Sequence, residues 1–172
     1  MKKIKRIINK KNKSKIVCLT AYSKNIAEEV DKYVDIVLVG DSLGSVLYNY
    51  STTRKVTLTE MINHSKSARL GVKKSLMVVD MPFNTYATKN AALKNAKKII
   101  KETKCDAVKL EGGKKIINQI KDRACESVCS ALLANQISAD ISLRKGSIYG
   151  GHVWKLLDCW QVFTQIKVVS CS

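Results

Sequence analysis

The sequence lacks the cysteine and histidine patterns that bind zinc. Its six cysteines include no pair separated by two residues, and only two histidines are present. A structural zinc site needs such pairs, because four sulfur or nitrogen ligands must surround one ion. We therefore interpret all six cysteines as reduced thiols: Cys18, Cys105, Cys125, Cys129, Cys159 and Cys171.

Long apolar runs are also missing. The opening segment has the positive charge of a signal peptide but not its apolar core, because Ile7 and Ile8 stand between basic residues. No other segment approaches the roughly 20 apolar residues of a membrane helix. We expect a cytoplasmic protein that has no membrane partner.

Acidic residues are few: 14 stand against 31 lysines and arginines, giving a formal net charge of +17. A basic surface attracts nucleic acid, and the opening run is the obvious candidate. That run carries no aromatic residues to stack bases, and lysines recur through every predicted helix, as on a solvated surface. Nucleic-acid binding is therefore the weaker interpretation. The run comprises Lys2, Lys3, Lys5, Arg6, Lys10, Lys11, Lys13 and Lys15.

The charge is unevenly distributed along the chain. Residues 1–121 hold 26 basic and 10 acidic residues, whereas residues 122–172 hold 5 and 4. This shift predicts a boundary at residue 121, followed by a tail of different origin. A frameshift or an incomplete gene model would produce it, and a genuine alternative C-terminus is the other interpretation.

From residue 15 the chain alternates short apolar runs with segments of helical period, which predicts βαβ units and a parallel sheet. After residue 121 the pattern weakens; Ser127–Ala134 fits a helix and Val162–Val169 fits a strand. The predicted strands are Lys15–Leu19, Ile36–Val39, Leu76–Val79 and Ala107–Leu110. The predicted helical features are a start at about Ser23 with Ile26, Ala27 and Val30 on one face; a capping box at Thr57 and Glu60 with an end near Gly71; a stripe of Ala92, Ala96, Ile99 and Ile100; and a short helix containing Ile116, Ile117 and Ile120.

Charged residues stand where the predicted strands end: Asp41, Asp80, Lys109 and Glu111. In parallel α/β folds ligands bind outside these carboxyl ends, so the three carboxylates should converge on one rim. Each acid alone fits a helix cap or a solvated loop. Three acids at the ends of successive predicted strands instead favour a site for a hard divalent cation such as Mg²⁺.

Two further features accompany this rim. Ser42 presents a hydroxyl within Gly40-Asp41-Ser42-Leu43-Gly44, where the glycines allow close backbone approach. Lys109 is expected to meet a carboxylate, and His64 to be structural or exposed.

Five segments in order resemble ketopantoate hydroxymethyltransferase. They are Lys15 to Tyr22, Val37 to Gly44, Val56-Thr57-Leu58 with Met61 and His64, Val78 to Phe83, and Asp106 to Gly113. The resemblance covers about residues 4–121. It implies the N-terminal half of a (β/α)₈ TIM barrel, here about four βα units, and a homo-oligomer when the protein is full length.

The same resemblance implies a reaction of pantothenate biosynthesis. A hydroxymethyl group passes from 5,10-methylenetetrahydrofolate, the co-substrate, to 3-methyl-2-oxobutanoate, giving 2-dehydropantoate. Asp41, Asp80 and Glu111 are then expected to bind Mg²⁺. The residues expected to contact the oxo acid are Asp41, Ser42, Asp80 and Lys109.

The chain departs from the family at two places. Ser23 replaces an acid that the family usually has, and nothing after residue 121 matches. The family's general-base glutamate lies in that half, so neither Glu126 nor His152 receives a role, and the catalytic residue is unassigned. Four units leave open sheet edges, so we expect the isolated chain to be inactive. A Mg²⁺-dependent lyase or mutase acting on oxo acids and a non-catalytic basic fragment are the alternatives.

Overall fold

Alternating strands and helices build a parallel sheet in the computed structural model, which describes residues 2–10, 13–112, 132–133 and 167–170. The strands are β1 (Cys18–Thr20), β2 (Ile36–Val39), β3 (Leu76–Asp80), β4 (Ala107–Leu110), β5 (Leu132–Leu133) and β6 (Lys167–Ser170). The helices are α1 (Lys2–Lys10), α2 (Lys24–Val30), α3 (Leu43–Leu47), α4 (Leu58–Gly71) and α5 (Lys89–Thr103), with a 3-10 turn at Thr53–Lys55.

Strands β1 to β4 pair in parallel and in sequence order. Their order and the intervening helices are those of the first half of a (β/α)₈ barrel, which confirms the predicted α/β class. A continuing barrel would place another parallel strand beside β4. Instead β6 pairs with β4 in antiparallel orientation, and β5 pairs with β6. The barrel pattern therefore ends at β4 within the described residues.

The two predictions for the tail fare differently. The predicted strand Val162–Val169 overlaps β6, whereas the predicted helix Ser127–Ala134 is wrong at Leu132–Leu133, which pair as a strand. The rest of both segments lies outside the described residues, as does the short helix predicted around Ile116. The boundary at residue 121 stays a prediction.

The two faces of the sheet bury different partners, because successive side chains of a strand point in opposite directions. Val37, Val39, Met77, Val79 and Val108 belong to a cluster with α2, α4 and α5. The alternate residues belong to a second cluster with α1: Ile36, Leu38, Leu76, Val78 and Ala107. Both faces of β2, β3 and β4 are therefore buried, which accounts for sequences that are apolar except at Asp80 and Lys109.

Helix α1 corrects the interpretation of the opening basic run as a solvated surface. Ile4 and Ile7 are buried against the sheet, with exposed fractions of 8% and 1%. Lys3 donates to the carbonyl of Ser75, Arg6 to that of Lys74, and Lys10 to Asp35 at 2.6 Å. Part of the basic run thus anchors α1 to the rest of the chain.

The predicted helices are largely confirmed. In α4, Thr57 and Glu60 form the capping box, and the helix ends at Gly71 as predicted. The predicted stripe of α5 is buried, with Ile100 partly so. In α2, Ala27 is buried, but Ile26 is 55% exposed, so the prediction that Ile26 shares the face of Ala27 is wrong.

Two boundaries also differ from prediction. Strand β1 begins at Cys18 rather than Lys15, and α3 occupies part of a predicted loop. None of the helices in the described part of the chain has the length and apolar character that a membrane span requires.

Candidate active site

The predicted site residues meet at the carboxyl ends of β2, β3 and β4. Asp80 is the last residue of β3, and it is paired in register with Lys109 of β4. Asp80 follows Leu76 and Val78 on the face that α1 covers, and Lys109 follows Ala107 on the same face. The strand alternation therefore directs both side chains to the same side of the sheet.

Lys109 lies at the centre of the cluster and is only 4% exposed. Its Nζ is 2.7 Å from Oδ1 and 2.8 Å from Oδ2 of Asp80, and 2.7 Å from Oε1 of Glu111. One carboxylate oxygen from each of Asp41, Asp80 and Glu111 lies within 4.8 Å of the other two. The predicted convergence and the predicted partner of Lys109 are both confirmed.

Burial dominates the electrostatics of this cluster. It raises the pKa of Asp80 to about 7, outweighing the attraction of Lys109. Burial and then the charge of Glu111 raise the pKa of Asp41. Burial alone would lower the pKa of Lys109, but Asp80 and Glu111 outweigh it and raise that pKa, so Lys109 remains a cation. Three carboxylates beside one ammonium group leave negative charge for a further cation to offset.

The donor set fits a hard divalent ion. It contains only carboxylate oxygens, which Mg²⁺ prefers to sulfur or nitrogen. Although Lys109 is near, Oδ1 of Asp80 is buried without a hydrogen bond of acceptable geometry, so it has a free position for a ligand bond. Burial raises the pKa of the nearby Cys18 thiol to about 12, and a protonated thiol does not compete for the ion.

Ser42 follows Asp41 at the start of α3. Its Oγ lies 2.8 Å from the hydroxyl of Tyr22. A Cβ atom at Gly40 would lie 2.9 Å from Oγ of Ser42 and 3.4 Å from Oδ2 of Asp80, so a side chain there would crowd the site. The expected close approach at Gly40 is confirmed.

Sequence reasoning missed three neighbours of the cluster. Tyr22 contacts Ser42, the Thr53 side chain bonds Asp41, and Tyr86 lies close enough that Glu111, Asp41 and Asp80 add to the effect of burial in raising its pKa. Tyr22 stands two residues beyond the end of β1, so the rule of inspecting strand ends would have found it. Thr53 begins the 3-10 turn between α3 and α4, and Tyr86 lies in the loop between β3 and α5, where no periodicity predicts position.

Other acids lie at the opposite ends of the strands and are satisfied by backbone amides. Asp31 accepts from Lys73, Lys74 and Ser75 at 2.8–2.9 Å. Burial alone would raise the pKa of Asp31, but these donations outweigh it and lower that pKa. Asp35 accepts from the amide of Val17. Amide donors also reach the rim, because Oδ2 of Asp80 accepts from the amide of Asp41 at 3.3 Å and Asp41 accepts from the amide of Ser42. There they do not outweigh burial, since the pKa values of Asp41 and Asp80 are raised, whereas that of Asp31 is lowered.

The fold and the site together define a class of protein. It is an α/β protein whose strand ends carry carboxylates and a buried lysine, a site suited to a hard cation and an anionic ligand. Residues 1–129 match the family model for ketopantoate hydroxymethyltransferase, and the chain belongs to this family. The match extends a few residues beyond both limits of the resemblance seen in the sequence.

Curated relatives carry the name 3-methyl-2-oxobutanoate hydroxymethyltransferase. The Pelagibacter ubique protein is 70% identical over 120 residues, which are 70% of this chain and 47% of the relative. The Rhizobium etli protein is 51% identical over 116 residues, 67% of this chain and 42% of the relative. The chain thus spans about half the length of the curated relatives it matches.

Proposed function

We propose that this chain is the N-terminal part of a 3-methyl-2-oxobutanoate hydroxymethyltransferase. The enzyme would transfer a hydroxymethyl group from 5,10-methylenetetrahydrofolate to 3-methyl-2-oxobutanoate, giving 2-dehydropantoate for pantothenate synthesis. The observation that carries the proposal is the cluster of three carboxylates at the strand ends, with Asp80 and Lys109 buried within it. The names of the relatives support the substrate.

In this proposal Asp41, Asp80 and Glu111 hold Mg²⁺. The ion would supply Lewis acidity that polarises the keto group and acidifies the neighbouring C–H bond. Lys109 contributes a fixed positive charge that offsets negative charge developing on the oxo acid. Ser42 donates its hydroxyl hydrogen to the oxo acid. Lys109 cannot accept the proton, because its raised pKa keeps it protonated at neutral pH. The proton acceptor is therefore a group other than Lys109.

Binding and turnover can be measured separately. We expect the 172-residue chain to bind Mg²⁺ and then 3-methyl-2-oxobutanoate in calorimetric titrations. Asp80→Asn should weaken Mg²⁺ binding by at least about tenfold, because it removes a ligand charge from a buried site. Glu29→Gln is the matched control, since Glu29 is exposed and remote. Equal Mg²⁺ affinity in the wild type and Asp80→Asn would contradict the assignment of the site.

The reaction itself is tested by adding Mg²⁺, 5,10-methylenetetrahydrofolate and the oxo acid and measuring 2-dehydropantoate by mass spectrometry. We propose that this chain forms none on its own, since its described strands form only half of a barrel. Formation of a different product from the oxo acid would favour the lyase or mutase alternative.

For the full-length enzyme we propose a homo-oligomer located in the cytoplasm. Light scattering after size-exclusion chromatography would test the assembly, and a monomer would contradict it. Nucleic acid is not proposed as a partner, because Lys3, Arg6 and Lys10 of the opening run bond to the chain itself.

A further inference from the structure

The contact between Tyr22 and Ser42 raises the question of which hydroxyl donates. The two oxygens are 2.8 Å apart, and each group has one hydrogen to give. If Ser42 donated to Tyr22, it would present only lone pairs to an anionic ligand. A phenol is more acidic than an aliphatic alcohol and is the better donor. Donation by Tyr22 leaves the Ser42 hydrogen free for the ligand.

His64 contacts the backbone of Tyr22 rather than its hydroxyl. Its Nδ1 lies 2.8 Å from the backbone oxygen of Tyr22, and a carbonyl oxygen can only accept, so Nδ1 carries the hydrogen. In the neutral ring Nε2 is then an acceptor, and the hydroxyl of Tyr48 lies 2.7 Å away to donate to it. His64 thus links the segment after β1 to the segment after α3.

Helix α4 makes a second contact with the segment after α3. Glu60, one turn before His64, accepts from the hydroxyl of Tyr50 at 2.9 Å. Tyr48 and Tyr50 stack with ring centroids 5.4 Å apart. Because α3 begins directly after Ser42, these contacts from α4 fix the segment that carries the serine as well as the one that carries Tyr22.

We propose that Tyr22 and His64 are positioning residues for oxo-acid binding. Tyr22 donates to Ser42 so that the Ser42 hydroxyl points its hydrogen at the oxo acid, and His64 holds the backbone of Tyr22 in place. The inference rests on the proposed function, because it takes Ser42 as a contact to the oxo acid. It predicts that both residues influence oxo-acid affinity and leave Mg²⁺ affinity unchanged.

A double-mutant cycle on the 172-residue chain tests the role of Tyr22. With Mg²⁺ present, Tyr22→Phe should weaken binding of 3-methyl-2-oxobutanoate about two- to tenfold, as expected for one hydrogen bond. In the Ser42→Ala background the same change should have no further effect, because Tyr22 acts through the serine. Tyr33→Phe is the control, since Tyr33 is 73% exposed.

Three outcomes of the cycle would overturn the proposal. They are equal loss in both backgrounds, no loss from Tyr22→Phe, and a parallel loss of Mg²⁺ affinity. If the wild-type chain fails to bind the oxo acid at all, the proposed function falls and this inference with it. Binding by the wild type without an effect of Tyr22→Phe refutes only the inference.

A pair of His64 variants tests the second residue. His64→Asn keeps a donor near the Nδ1 position, whereas His64→Gln places its amide near the Nε2 position. We expect His64→Asn to retain oxo-acid affinity within about twofold and His64→Gln to lose about two- to tenfold, because the bond to Tyr22 is the one that matters. Equal affinities in the two variants, or the reverse order, would refute the role of His64.

Discussion

Replacing Lys109 by methionine should destabilise the protein strongly and in a pH-dependent way. At an effective dielectric constant of about 20, opposite charges 2.7 Å apart attract by about 6 kcal/mol, which offsets part of the cost of burying them. Lys109→Met leaves Asp80 buried without its partner. Loss of one member of such a pair typically costs about 3–5 kcal/mol, and we expect this loss in the free energy of unfolding at pH 8.

The pH dependence follows from the carboxylate. Burial already raises the pKa of Asp80 to about 7, and removal of Lys109 would raise it further. At pH 5 Asp80 would then be protonated and neutral, so the difference between variant and wild type should shrink. Urea unfolding followed by circular dichroism at pH 5 and pH 8 measures both values, without added Mg²⁺.

Two controls sharpen the Lys109 experiment. Lys66→Met removes an exposed ion pair with Glu102 and should cost less than about 1 kcal/mol. Adding Asp80→Asn to Lys109→Met should recover part of the stability, because the unpaired charge is gone. A loss that is the same at pH 5 and pH 8, or a loss below about 1 kcal/mol, would refute the argument.

Three other substitutions test the packing and the structural acids. Ile7→Ala should cost about 2–5 kcal/mol of unfolding free energy and the half-exposed Ile8→Ala less than about 1, as urea titration would show, because only Ile7 is fully buried. Gly71→Ala should lower the melting temperature despite the better helix propensity of alanine, since its Cβ would meet the Lys24 carbonyl and lie 2.5 Å from the Glu28 amide nitrogen; an unchanged value would contradict this packing. Asp31→Asn should cost about 1–3 kcal/mol at pH 7. Its folded pKa lies below the ordinary value of 3.8, so the stability it adds is present above about pH 4 and is lost as pH falls through the folded pKa. Unfolding at pH 7 and pH 3 should show the variant and wild type converging.

How much the sequence predicts depends on whether a residue lies in a periodic element. The predicted bounds of β2 and β4 match the observed ones, because β2 is a continuous apolar run and the apolar residues of β4 are interrupted only by Lys109. Asp80, Lys109 and Glu111 were found because parallel strand ends meet at one edge. The sequence pattern does not predict α1, because its buried stripe consists of only two residues, Ile4 and Ile7, in a segment rich in lysine.

The periodicity of apolar residues does not predict side-chain contacts between separate loops. His64 was expected to be structural or exposed, and only the folded chain shows its two tyrosine partners. Tyr22 and His64 are 42 residues apart in the sequence. Their contact depends on how α4 packs beside the segment that follows β1. The antiparallel position of β6 next to β4 was likewise unforeseen, because a four-residue strand with a weak sequence pattern does not specify its partner.

The same residue type serves opposite purposes at the two ends of the sheet. At the amino ends, burial is outweighed by backbone amides at Asp31 and by Lys10 and the Val17 amide at Asp35. Both carboxylates therefore have lowered pKa values, and their charge stabilises the fold. At the carboxyl ends, Asp41 and Asp80 have raised pKa values because burial is not compensated by enough donors. When the fold supplies too few donors to a buried carboxylate, its charged form is unfavourable. A bound cation would stabilise that charged form. Neutralising Asp31 or Asp35 should therefore reduce stability with little effect on Mg²⁺ affinity, whereas neutralising Asp41 should reduce Mg²⁺ affinity at little cost in stability. Neutralising Asp80 should reduce both, because it also removes the buried partner of Lys109.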